Sequence, residues 1–587
     1  MKYGLKSVLI AASLVASSPY ARAQAPKTTA DLGIDYQELV RSRTSISSLG
    51  NDLFGDKTNL YTGETKFIQV DIEIPGNNQI PVRLVRTSPR QPGYHIFPLA
   101  DWEFDFPHLT GSYAVSDGWV VRTPTGTGKS NSRCSVSTSA PTSASPPDVY
   151  VPSQGAPSSV GISFEAHHFW RGITLHDPNS NDQPMLVLDP GAPRPTGSTP
   201  FYWGTQSRWV FSCLPTTANG FPGEGFLAHA PDGMKYWFDW IVPIPRSART
   251  LTGYLGVDMW SYKSELGVRQ YKALPTKIED RDGNTVLFTY EALDSQNVTS
   301  IVASDGRSIG ISYTNGLASS ATTGGRTWSY RYSSPNGLPL LTEVELPDGS
   351  RWKFNADSLL SYGSTGWKNC ADFVGVETTD DYVTTMVHPS GATGVFRFGV
   401  RLHGRTDVPR NCYQLGVNSF PLESHITSAV ALFKKQISGA GLVAPLVWSF
   451  DYGVRSASFV DTPTLDDCAT TPCPTTRTLK VTRENGEWER YTFGQKHGDL
   501  EGKLLRHEKG VGQRVLFSKE ILYKSSVRSL FGRIGANPCA FCNKGDEFPL
   551  PVELQDVHQD GVLFRYRVDA FDGYARPIRV TRSSASE

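Results

Sequence analysis

The sequence predicts an all-β fold in which consecutive antiparallel β-hairpins stack into a curved or spiralling sheet. Two observations support this prediction. A short unit recurs along the chain: an apolar-alternating run, a turn that usually contains Asp-Gly, and a second alternating run that ends in aromatic residues. The composition also favours strands and turns, because Gly (54) and Pro (40) are abundant and aromatic residues reach 11%.

The recurring unit has the chemistry of a β-hairpin. Clear copies lie at 230–240, 274–291, 298–315, 317–334 and 341–356. Weaker copies lie at 386–400, 480–494 and 557–568. Tight hairpin turns need a positive φ, which glycine adopts without steric cost. The predicted turn residues are Gly233, Gly283, Gly306, Gly325, Gly349, Gly391, Gly486 and Gly561.

After each turn, aromatic residues recur at every second position, as at Trp352 and Phe354. This spacing places them on one face of a strand. A single hairpin cannot bury such a face, so consecutive hairpins are expected to pack side by side into one continuous sheet.

The N-terminus has the pattern of a secretory signal peptide. Two lysines precede an apolar run at residues 8–16, and small residues in A-x-A spacing predict cleavage after Ala23 or Ala25. We therefore expect residues 1–25 to be removed and the chain to be secreted to the periplasm, cell surface or medium. No later stretch has the ~18 consecutive apolar residues of a spanning helix, so an integral membrane protein is not expected.

The charge balance and the cysteine content further narrow the class of protein to which this chain could belong. Lys plus Arg equals Asp plus Glu at 57 each, so no global field would recruit nucleic acid. Eight cysteines suit an exported chain with disulfides. The C-x-x-C pair fits a local disulfide better than a zinc site, which needs two more ligands, or a thioredoxin-type motif, which needs a βαβ setting. Proximity and sequence order, which do not fix connectivity, suggest Cys134–Cys213, Cys370–Cys412, Cys468–Cys473 and Cys539–Cys542.

The stretch TPTGTGKS (123–130) is similar to a phosphate-binding loop. The full pattern G-x-x-x-x-G-K-[ST] would need glycine where Thr123 stands, and it requires a helix to follow. The following residues are instead rich in Ser, Thr and Pro, which disfavour a helix. We interpret the stretch as a turn that enters a surface loop, and we expect no nucleotide or other cofactor.

Two groups of ionisable residues are candidate sites. In DWEFDF (101–106), a strand would place Asp101, Glu103 and Asp105 on one face, which suits Ca²⁺ binding or glycoside hydrolysis. The preferred interpretation is a solvated strand face over an aromatic core. The stretch EAHHFWRGITLHD offers five potential zinc ligands: Glu165, His167, His168, His176 and Asp177. Since no standard hydrolase or metal motif is present, we expect no catalytic, cofactor-binding or metal-binding residues and no enzyme activity.

Composition divides the chain into seven segments. They are a signal peptide (1–25), an N-terminal β region (26–125) with a helix-permissive stretch at 31–42, a Ser/Pro-rich flexible insertion (126–160), a β region (161–226), degenerate hairpin repeats (227–400), a β-rich region with loops and short disulfides (401–555), and the start of a repeat array (556–587).

Several passages resemble bacterial Rhs (YD-repeat) proteins. They include FGDKTNLYTGETKFIQVDIEIPGNNQIPVRLVR (54–86), DWEFDFPHLTG (101–111), LPTKIEDRDGNTVLFTY (274–290), HPSGATGVFRFGVRLHGRTDVPRNC (388–412) and YRVDAFDGYARPIRVTRSS (566–584). Most of these resemble the family's N-terminal leader and degenerate repeats. Only the last resembles the strong repeat Y-x-Y-D-x-x-G-R-x-x-x-V-T, with Val568 where Tyr is usual.

The resemblance implies an antiparallel sheet that spirals into a hollow shell, which in full-length relatives encloses a C-terminal toxin used against competing bacteria. It implies that this chain is a non-enzymatic structural part of such a shell, N-terminal and either truncated or orphan. Its partners would be further Rhs repeats or a toxin supplied by another chain. An uncovered strand edge is expected near Phe564 to Val568, where it would promote self-association.

A second class of function stays open, a carbohydrate-binding cell-surface protein. The aromatic residues of PFYWGTQSRWVF (200–211) include Tyr202, Trp203 and Trp209, whose exposed faces could stack on a surface polysaccharide. Burial of these rings would favour core packing instead. A metal-dependent hydrolase is the third alternative, and it depends on the two ionisable groups above.

Overall fold

The structure of the chain is a computed structural model. It describes residues 52–586 apart from positions 79, 89–97, 124–127, 138–139, 145–148, 151–162, 179–181, 246–248, 256–261, 356–365, 368–372, 375–376, 380–381, 416–417, 422, 461–467, 469, 471, 525–529 and 540–543. The described residues belong to one compact unit, Asn51–Glu587. The predicted signal peptide and the stretch at 31–42 lie outside the described residues.

Strands make up almost all of the regular structure. The first twenty are β1 (Asp56–Thr58), β2 (Thr65–Ile74), β3 (Val82–Thr87), β4 (Glu103–Phe104), β5 (His108–Ala114), β6 (Val121–Arg122), β7 (Lys129–Ser130), β8 (Val149–Tyr150), β9 (Thr174–His176), β10 (Gln183–Pro184), β11 (Leu186–Leu188), β12 (Trp203–Gly204), β13 (Val210–Leu214), β14 (Gly225–His229), β15 (Lys235–Pro243), β16 (Arg249–Leu255), β17 (Tyr262–Glu279), β18 (Thr285–Tyr290), β19 (Val298–Ala303) and β20 (Ser308–Thr314).

The chain continues in the same manner to its end. The remaining strands are β21 (Leu317–Thr323), β22 (Arg326–Ser333), β23 (Leu340–Glu345), β24 (Arg351–Asn355), β25 (Gly366–Trp367), β26 (Phe373–Val374), β27 (Tyr382–Val387), β28 (Thr393–Gly404), β29 (Cys412–Leu415), β30 (Asn418–Pro421), β31 (Ile426–Ser438), β32 (Leu446–Asp451), β33 (Thr476–Arg483), β34 (Glu487–Gly494), β35 (Leu504–Val511), β36 (Arg514–Tyr523), β37 (Gly535–Ala536), β38 (Val552–Gln559), β39 (Val562–Phe571) and β40 (Pro577–Ser586). Helical segments are α1 (Ala166–Phe169) and the 3₁₀ turns Pro335–Gly337 and Lys544–Glu547. Among the described residues, no helix has the length and apolar character needed to cross a membrane.

Antiparallel pairing joins most strands into one large sheet, in which the neighbour of a strand is usually the next strand in sequence. The ladder runs from β17 to β24, then through β27, β28, β31 to β36, and β38 to β40. The prediction of an all-β fold of stacked hairpins is confirmed.

The sheet curves until its last part meets its first. From β17 the ladder also extends through β15, β14, β13 and β12 to β11. Strand β11 pairs with β37, which lies on the connection between β36 and β38. Arg208 Nη2 also donates to the carbonyl oxygen of Tyr574, in the turn between β39 and β40, at 2.8 Å. Residues more than 300 positions apart are thereby brought into contact.

All eight glycines that were predicted to turn hairpins have a positive φ, between 73° and 91°. At Gly283, Gly306 and Gly349, no atom lies within 4 Å of the position that a Cβ would take. Glycine is therefore required at these turns by the backbone conformation and not by a lack of space.

Replacing Gly283, Gly306 or Gly349 with valine is expected to destabilise the fold by about 1 kcal/mol or more, since a β-branched residue is strained at positive φ. Chemical denaturation of each variant measures the effect. Gly532→Val is the matched control, because Gly532 has equally open surroundings without a positive φ. Unchanged stability in all three turn variants would show that these turns do not impose a left-handed conformation.

A tyrosine near the end of several strands ties its hairpin to an earlier strand. The hydroxyls of Tyr290, Tyr313 and Tyr332 donate to backbone carbonyls 14 or 15 residues upstream, at 2.6 to 2.9 Å. In each case the ladder shifts register at the tyrosine. Such bulges increase the local twist of a sheet, so this repeated device contributes to the curvature.

The N-terminal strands β1 to β4 form a separate small sheet that packs on the inner face of the large one. The inner face is defined here as the face that carries Trp352, Phe354 and Phe396. Phe54 and Phe67 of the small sheet share one hydrophobic cluster with these residues, and the rings of Phe67 and Phe396 are 4.8 Å apart. The resemblance implies a hollow shell, but this part of the sheet encloses a packed core.

The small sheet has two buried ion pairs, one within it and one that joins it to the large sheet. Arg86 and Asp71 lie 2.9 Å apart (Nε to Oδ1), and their side chains are 0% and 1% exposed. Tyr330 of the large sheet donates to the same carboxylate at 3.1 Å. Lys435 Nζ lies 2.6 Å from Asp56 Oδ2, which joins β31 to β1. The Arg86–Asp71 pair therefore joins β3 to β2 within the small sheet and reaches the large sheet through the Tyr330 hydroxyl, whereas the Lys435–Asp56 pair joins the two sheets by charge.

Burial falls toward the end of the ladder. In β40, residues 581–586 are all exposed, and the side chains of Phe564 and Ile578 are 39% and 65% exposed. The expectation of an uncovered edge at Phe564 to Val568 is wrong, because β39 pairs with β38 on one side and with β40 on the other. Residues 577–586 add a further strand, and within the described ladder β40 is the outermost one.

The segment predicted as a flexible insertion has specific side-chain contacts in its described part, which covers 128–137, 140–144 and 149–150. Arg133 is fully buried, and its guanidinium donates to the carbonyl oxygens of Trp119 (3.1 Å), Glu224 (2.5 Å) and Pro222. The carboxylate of Glu224 accepts the backbone N–H of Cys134 at 3.0 Å. In these described ranges, a buried arginine and a disulfide anchor the segment.

Candidate functional site

Ionisable side chains gather where β4 and β5 meet β9, and this cluster is the best candidate site. It begins at residues 101–106, where Trp102, Phe104 and Phe106 are buried in the core. The carboxylates opposite them do not form a solvated face, because Asp105 is only 7% exposed. The interpretation of these carboxylates as a solvated strand face is therefore wrong for Asp105, which pairs with the side chain of His176 in the interior.

The three carboxylates of this segment have three different partners. Asp101 accepts the backbone N–H of Leu341 at 2.7 Å, Glu103 lies 2.5 Å from Lys272 Nζ, and Asp105 lies 2.6 Å from His176 Nε2. They are distributed over three separate contacts and do not converge on one point. The geometry therefore lacks the clustered oxygens that a Ca²⁺ ion needs.

His176 lies between two carboxylates. Its Nε2 is 2.6 Å from Asp105 Oδ1, and its Nδ1 is 2.7 Å from Asp182 Oδ1. The register of β5 and β9 places His108 opposite His176, and the two rings are 4.6 Å apart. His108 Nδ1 is bonded to the carbonyl oxygen of Phe106 at 2.8 Å. The carbonyl must accept, so His108 donates from Nδ1.

The two histidines have opposite protonation preferences. Burial alone would lower the pKa of His176, but hydrogen bonds to Asp105 and Asp182, and the charges of these carboxylates, raise it to about 9. Burial lowers the pKa of His108 well below its usual range, and the charges of Lys272 and His176 add to this. At neutral pH, a charged imidazolium therefore lies against a neutral imidazole, with the two rings tilted by 35°.

This arrangement serves as an ion-pair bridge better than as catalytic machinery. A general base must be unprotonated near the working pH, and His176 is protonated there. Both of its ring nitrogens are already bound to carboxylates, so no nitrogen is left to activate a nucleophile or to ligate a metal. The ion pairs of His176 join β9 to the segment between β4 and β5 and to the segment before β10.

A pH titration of stability is expected to reveal this bridge. Because the folded-state pKa of His176 is raised to about 9, its stabilisation is complete below about pH 6.5 and is lost as the pH rises to about 9. The loss is expected to reach at most about 3 kcal/mol. In His176→Gln this alkaline decline should be absent, while His558→Gln should retain it. An identical pH profile in His176→Gln and the wild type would contradict the assignment.

A small pocket lies beside the cluster and is lined by Glu103, His108, Lys272 and apolar side chains that include Phe104 and Leu274. Its charged groups already pair with each other, since Glu103 and Lys272 are 2.5 Å apart. It therefore offers no uncompensated charge to a substrate.

The other two histidines of the predicted cluster, His167 and His168, make interactions different from those of His176. His167 and His168 are on the short helix α1, and their ring centroids are 4.2 Å apart. His168 Nδ1 accepts the backbone N–H of Glu165 at 3.0 Å, and burial together with neighbouring charges lowers the pKa of His168 to about 4. Within the described part of the chain, no three His, Cys, Asp or Glu residues are grouped so that they could hold a metal ion.

The aromatic segment at 200–211 does not form a sugar-binding platform. Trp203 and Trp209 are 1% and 5% exposed, and both belong to a hydrophobic cluster, against which the partly buried Tyr202 packs. Trp203 Nε1 donates to the carbonyl oxygen of Cys134 at 2.8 Å. The rings are therefore used for core packing, which was the alternative to carbohydrate stacking.

The stretch 123–130 has the surroundings of a turn and not of a phosphate site. Residues 124–127 lie outside the described residues. Lys129 and Ser130 form β7, which pairs with β6, and Lys129 Nζ is bound to Asp117 at 2.5 Å. The residues that follow, 131–137, contain turns and bends and no helix, so the converging N–H groups of a phosphate loop are missing there.

The structure contains disulfides between Cys134 and Cys213 and between Cys468 and Cys473, each with a Cα–Cα distance of 5.5 Å. Cys412 and Cys539 are also disulfide-bonded. Their expected partners, Cys370 and Cys542, lie outside the described residues.

Comparisons with known proteins give only distant likenesses. No protein-family model matches the chain, and no curated protein matches it significantly. Among solved structures, it is similar to a crystal structure of TcdB2-TccC3-Cdc42, with 8% identity and a TM-score of 0.22 over 90% of this chain and 36% of that one. It is also similar to a Photorhabdus luminescens Tc holotoxin pore with a TccC3 mutation, with 7% identity and a TM-score of 0.26 over 92% of this chain and 44% of that one. This chain thus spans less than half the length of these matched chains, and similarity at this level does not determine its function.

Proposed function

We propose that this chain is a secreted, non-enzymatic Rhs/YD-repeat structural protein that forms the filled N-terminal end of a toxin-encapsulating shell in interbacterial competition. The observation that carries the proposal is the change of burial along one sheet. The inner face is packed against the N-terminal sheet as far as β32, whereas most residues of β36, β38, β39 and β40 are partly or fully exposed. A ladder that is packed at one end and uncovered at the other is suited to continue onto further hairpins.

The uncovered end has a surface suited to such a continuation. Strand register places Lys519, Val557 and Phe564 in one row across β36, β38 and β39. Phe564 is 39% exposed, and Tyr566 follows it on the same face. Half-exposed apolar and aromatic residues on a concave sheet are stabilised when a further layer covers them. The proposed partner is therefore a set of further repeats, or a toxin segment, supplied by another chain.

Light scattering of the purified mature chain measures its oligomeric state and so tests whether the uncovered end of the ladder self-associates. We expect self-association that decreases in Phe564→Asp, because a charge on this face opposes its burial. Leu293→Asp is the control, since Leu293 is 66% exposed in the turn after β18, far from β39 in the ladder. A wild type that stays strictly monomeric at high concentration, and whose stability no repeat-bearing partner increases, would contradict the open end.

The absence of catalysis is tested in a sensitive bacterial host. The chain, expressed with its own leader, is expected to be processed after Ala23 or Ala25, to reach the periplasm and to leave growth unchanged. Growth arrest that disappears in Asp105→Asn, His176→Gln or the double variant of His167 and His168 would overturn the non-enzymatic proposal. Intact-mass measurement of the exported chain establishes its mature N-terminus.

A further inference from the structure

Lys519 of β36 lies on the inner face of the sheet, at the uncovered end of the ladder. Successive register pairs carry this face from Phe396 to Lys519 by way of Lys435, Trp448, Val481, Glu489 and His507. Long charged side chains usually keep their charged ends in water. Burial nevertheless lowers the pKa of Lys519, and within the described part of the chain its ammonium group makes no hydrogen bond or ion pair.

A lysine at the covered end of the same face shows how such a position is satisfied. Lys435 is opposite Phe396 on one side and Trp448 on the other, and it is only 3% exposed. The small sheet covers the face there, and the carboxylate of Asp56 accepts from Lys435 Nζ at 2.6 and 2.7 Å. The layer that covers this lysine therefore also supplies its carboxylate.

Glu489, two strands before Lys519 on the same face, is already bound to other groups. It accepts from the Tyr491 hydroxyl at 2.7 Å and from His507 Nε2 at 2.9 Å. Burial alone would raise the pKa of Glu489, but these hydrogen bonds and the charges of Lys509 and His507 lower it to about 2. Glu489 is therefore the carboxylate of its own cluster and does not pair with Lys519.

The surface around Lys519 is apolar, aromatic and cationic. Three register rows begin at Phe517, Lys519 and Ile521 and cross β38, β39 and β40, and these rows contain no Asp or Glu. Their second cation is Arg582, whose guanidinium lies 5.7 Å from the centre of the Tyr566 ring. The three rows are named here the inner patch. Its charge is positive, and its aromatic side chains are partly exposed.

Pairing at the outer edge of the ladder does not bring a partner to Lys519. Strands β38 and β39 separate β36 from β40, so three strand spacings, or roughly 14 Å, lie between Lys519 and the outermost described strand. A strand that added to β40 would lie beyond that distance. A carboxylate that reaches Lys519 must therefore belong to a layer on the face of the sheet, as Asp56 does at the covered end.

We propose that the inner patch binds a polypeptide segment that carries carboxylates between apolar side chains, and that one carboxylate pairs with Lys519. This rests on the proposed function, since the segment would belong to the chain that supplies further repeats or a toxin. Its apolar side chains cover Phe564 and Tyr566, and Arg582 offers a second pairing position. A polypeptide is favoured over a nucleic acid because a polypeptide layer already covers the other part of this face. Two copies of this chain that met through the patch would bring like charges together, so an acidic segment binds it more tightly than a second copy does.

Three labelled peptides of 10 residues, the length of β40, test the charge requirement. The first alternates glutamate with valine and phenylalanine, the second has glutamine in place of glutamate, and the third has lysine there. Fluorescence anisotropy with the mature protein measures their affinities. We expect the acidic peptide to bind several-fold more tightly than the other two. Equal binding of the three peptides, no binding of the acidic one, or tighter binding of a single-stranded oligonucleotide would overturn the proposal.

Variants of Lys519 decide whether this residue sets the preference. Lys519→Met keeps the apolar stem and removes the charge, so we expect the preference for the acidic peptide to fall several-fold. Lys519→Glu should reverse it in favour of the lysine peptide. The same substitutions at Lys353 are the control, because Lys353 is exposed and alternates with the buried Trp352 and Phe354 of β24. An unchanged preference in Lys519→Met, or an equal change in the Lys353 variants, would contradict the assignment.

Urea unfolding of the free protein gives a second readout. Lys519→Met should leave the midpoint unchanged or raise it, because no described group loses a partner. Lys435→Met should lower it, because Asp56 is left buried without its cation. A lowered midpoint in Lys519→Met would reveal a partner within the chain and overturn the proposal. The proposed function fails differently, through growth arrest of the host or a chain that stays monomeric without partners. Charge-independent peptide binding by a self-associating chain would overturn only the role of Lys519.

Discussion

Replacing Arg86 with methionine is expected to lower the free energy of unfolding by about 3 to 5 kcal/mol, because it leaves a buried carboxylate without its cation. Arg86 and Asp71 are both almost completely buried, and the hydroxyl of Tyr330 is the other side-chain donor to that carboxylate. The guanidinium also lies 5.0 Å from the centre of the Trp102 ring and 4.9 Å from that of Phe354, so cation–π contacts are lost as well.

Urea denaturation of the single and double variants distinguishes the cost of leaving a buried charge unpaired from the cost of lost packing. The double variant Asp71→Leu/Arg86→Met removes both charges, and we expect it to recover most of the loss, since an apolar replacement of a whole buried pair is often tolerated. Arg331→Met breaks an exposed pair with Glu345 and should cost less than about 1 kcal/mol. A single Arg86→Met variant within 1 kcal/mol of the wild type would show that Asp71 is protonated or solvated in the folded state.

The hairpins could be predicted because their information is local. The turn glycine, its neighbouring Asp or Asn, and the alternation after the turn all lie within about fifteen residues, which is the length of one hairpin. At Gly306, for example, the predicted turn joins β19 to β20 as an antiparallel pair. The hydrogen bonds from tyrosine hydroxyls to earlier strands were not predicted, because the aromatic residues were considered only as an apolar face.

Contacts between distant parts of the chain could not be predicted. Asp105 and His176 are 71 residues apart, and the pairing of β5 with β9 brings them together. The sequence placed both residues in separate candidate groups, and neither group contained Asp182. In the same way, nothing local indicates that β1 to β4 fill the curve of the sheet, because the partners of Phe54 lie about 300 residues later.

Removing the Cys134–Cys213 disulfide is expected to cost about 4 kcal/mol, whereas removing Cys468–Cys473 should cost at most about 2 kcal/mol. In the chain-entropy model, the loss grows with the length of chain that the bond encloses, and the sequence separations are 79 and 5. The first bond also fixes the segment that contains Arg133 and Cys134, both of which are fully buried.

Paired alanine variants, Cys134→Ala/Cys213→Ala and Cys468→Ala/Cys473→Ala, compare the two bonds without burying a new polar group. Unfolding is followed by denaturant under oxidising conditions, with near-ultraviolet circular dichroism as the probe of aromatic packing. The first variant should also lose signal from Trp203, whose indole donates to the carbonyl oxygen of Cys134. Equal losses in the two variants would contradict the chain-entropy account. They would indicate that the hydrogen bonds of Glu224 to Cys134 and Ser135, and not the disulfide, hold this segment against β13 and β14.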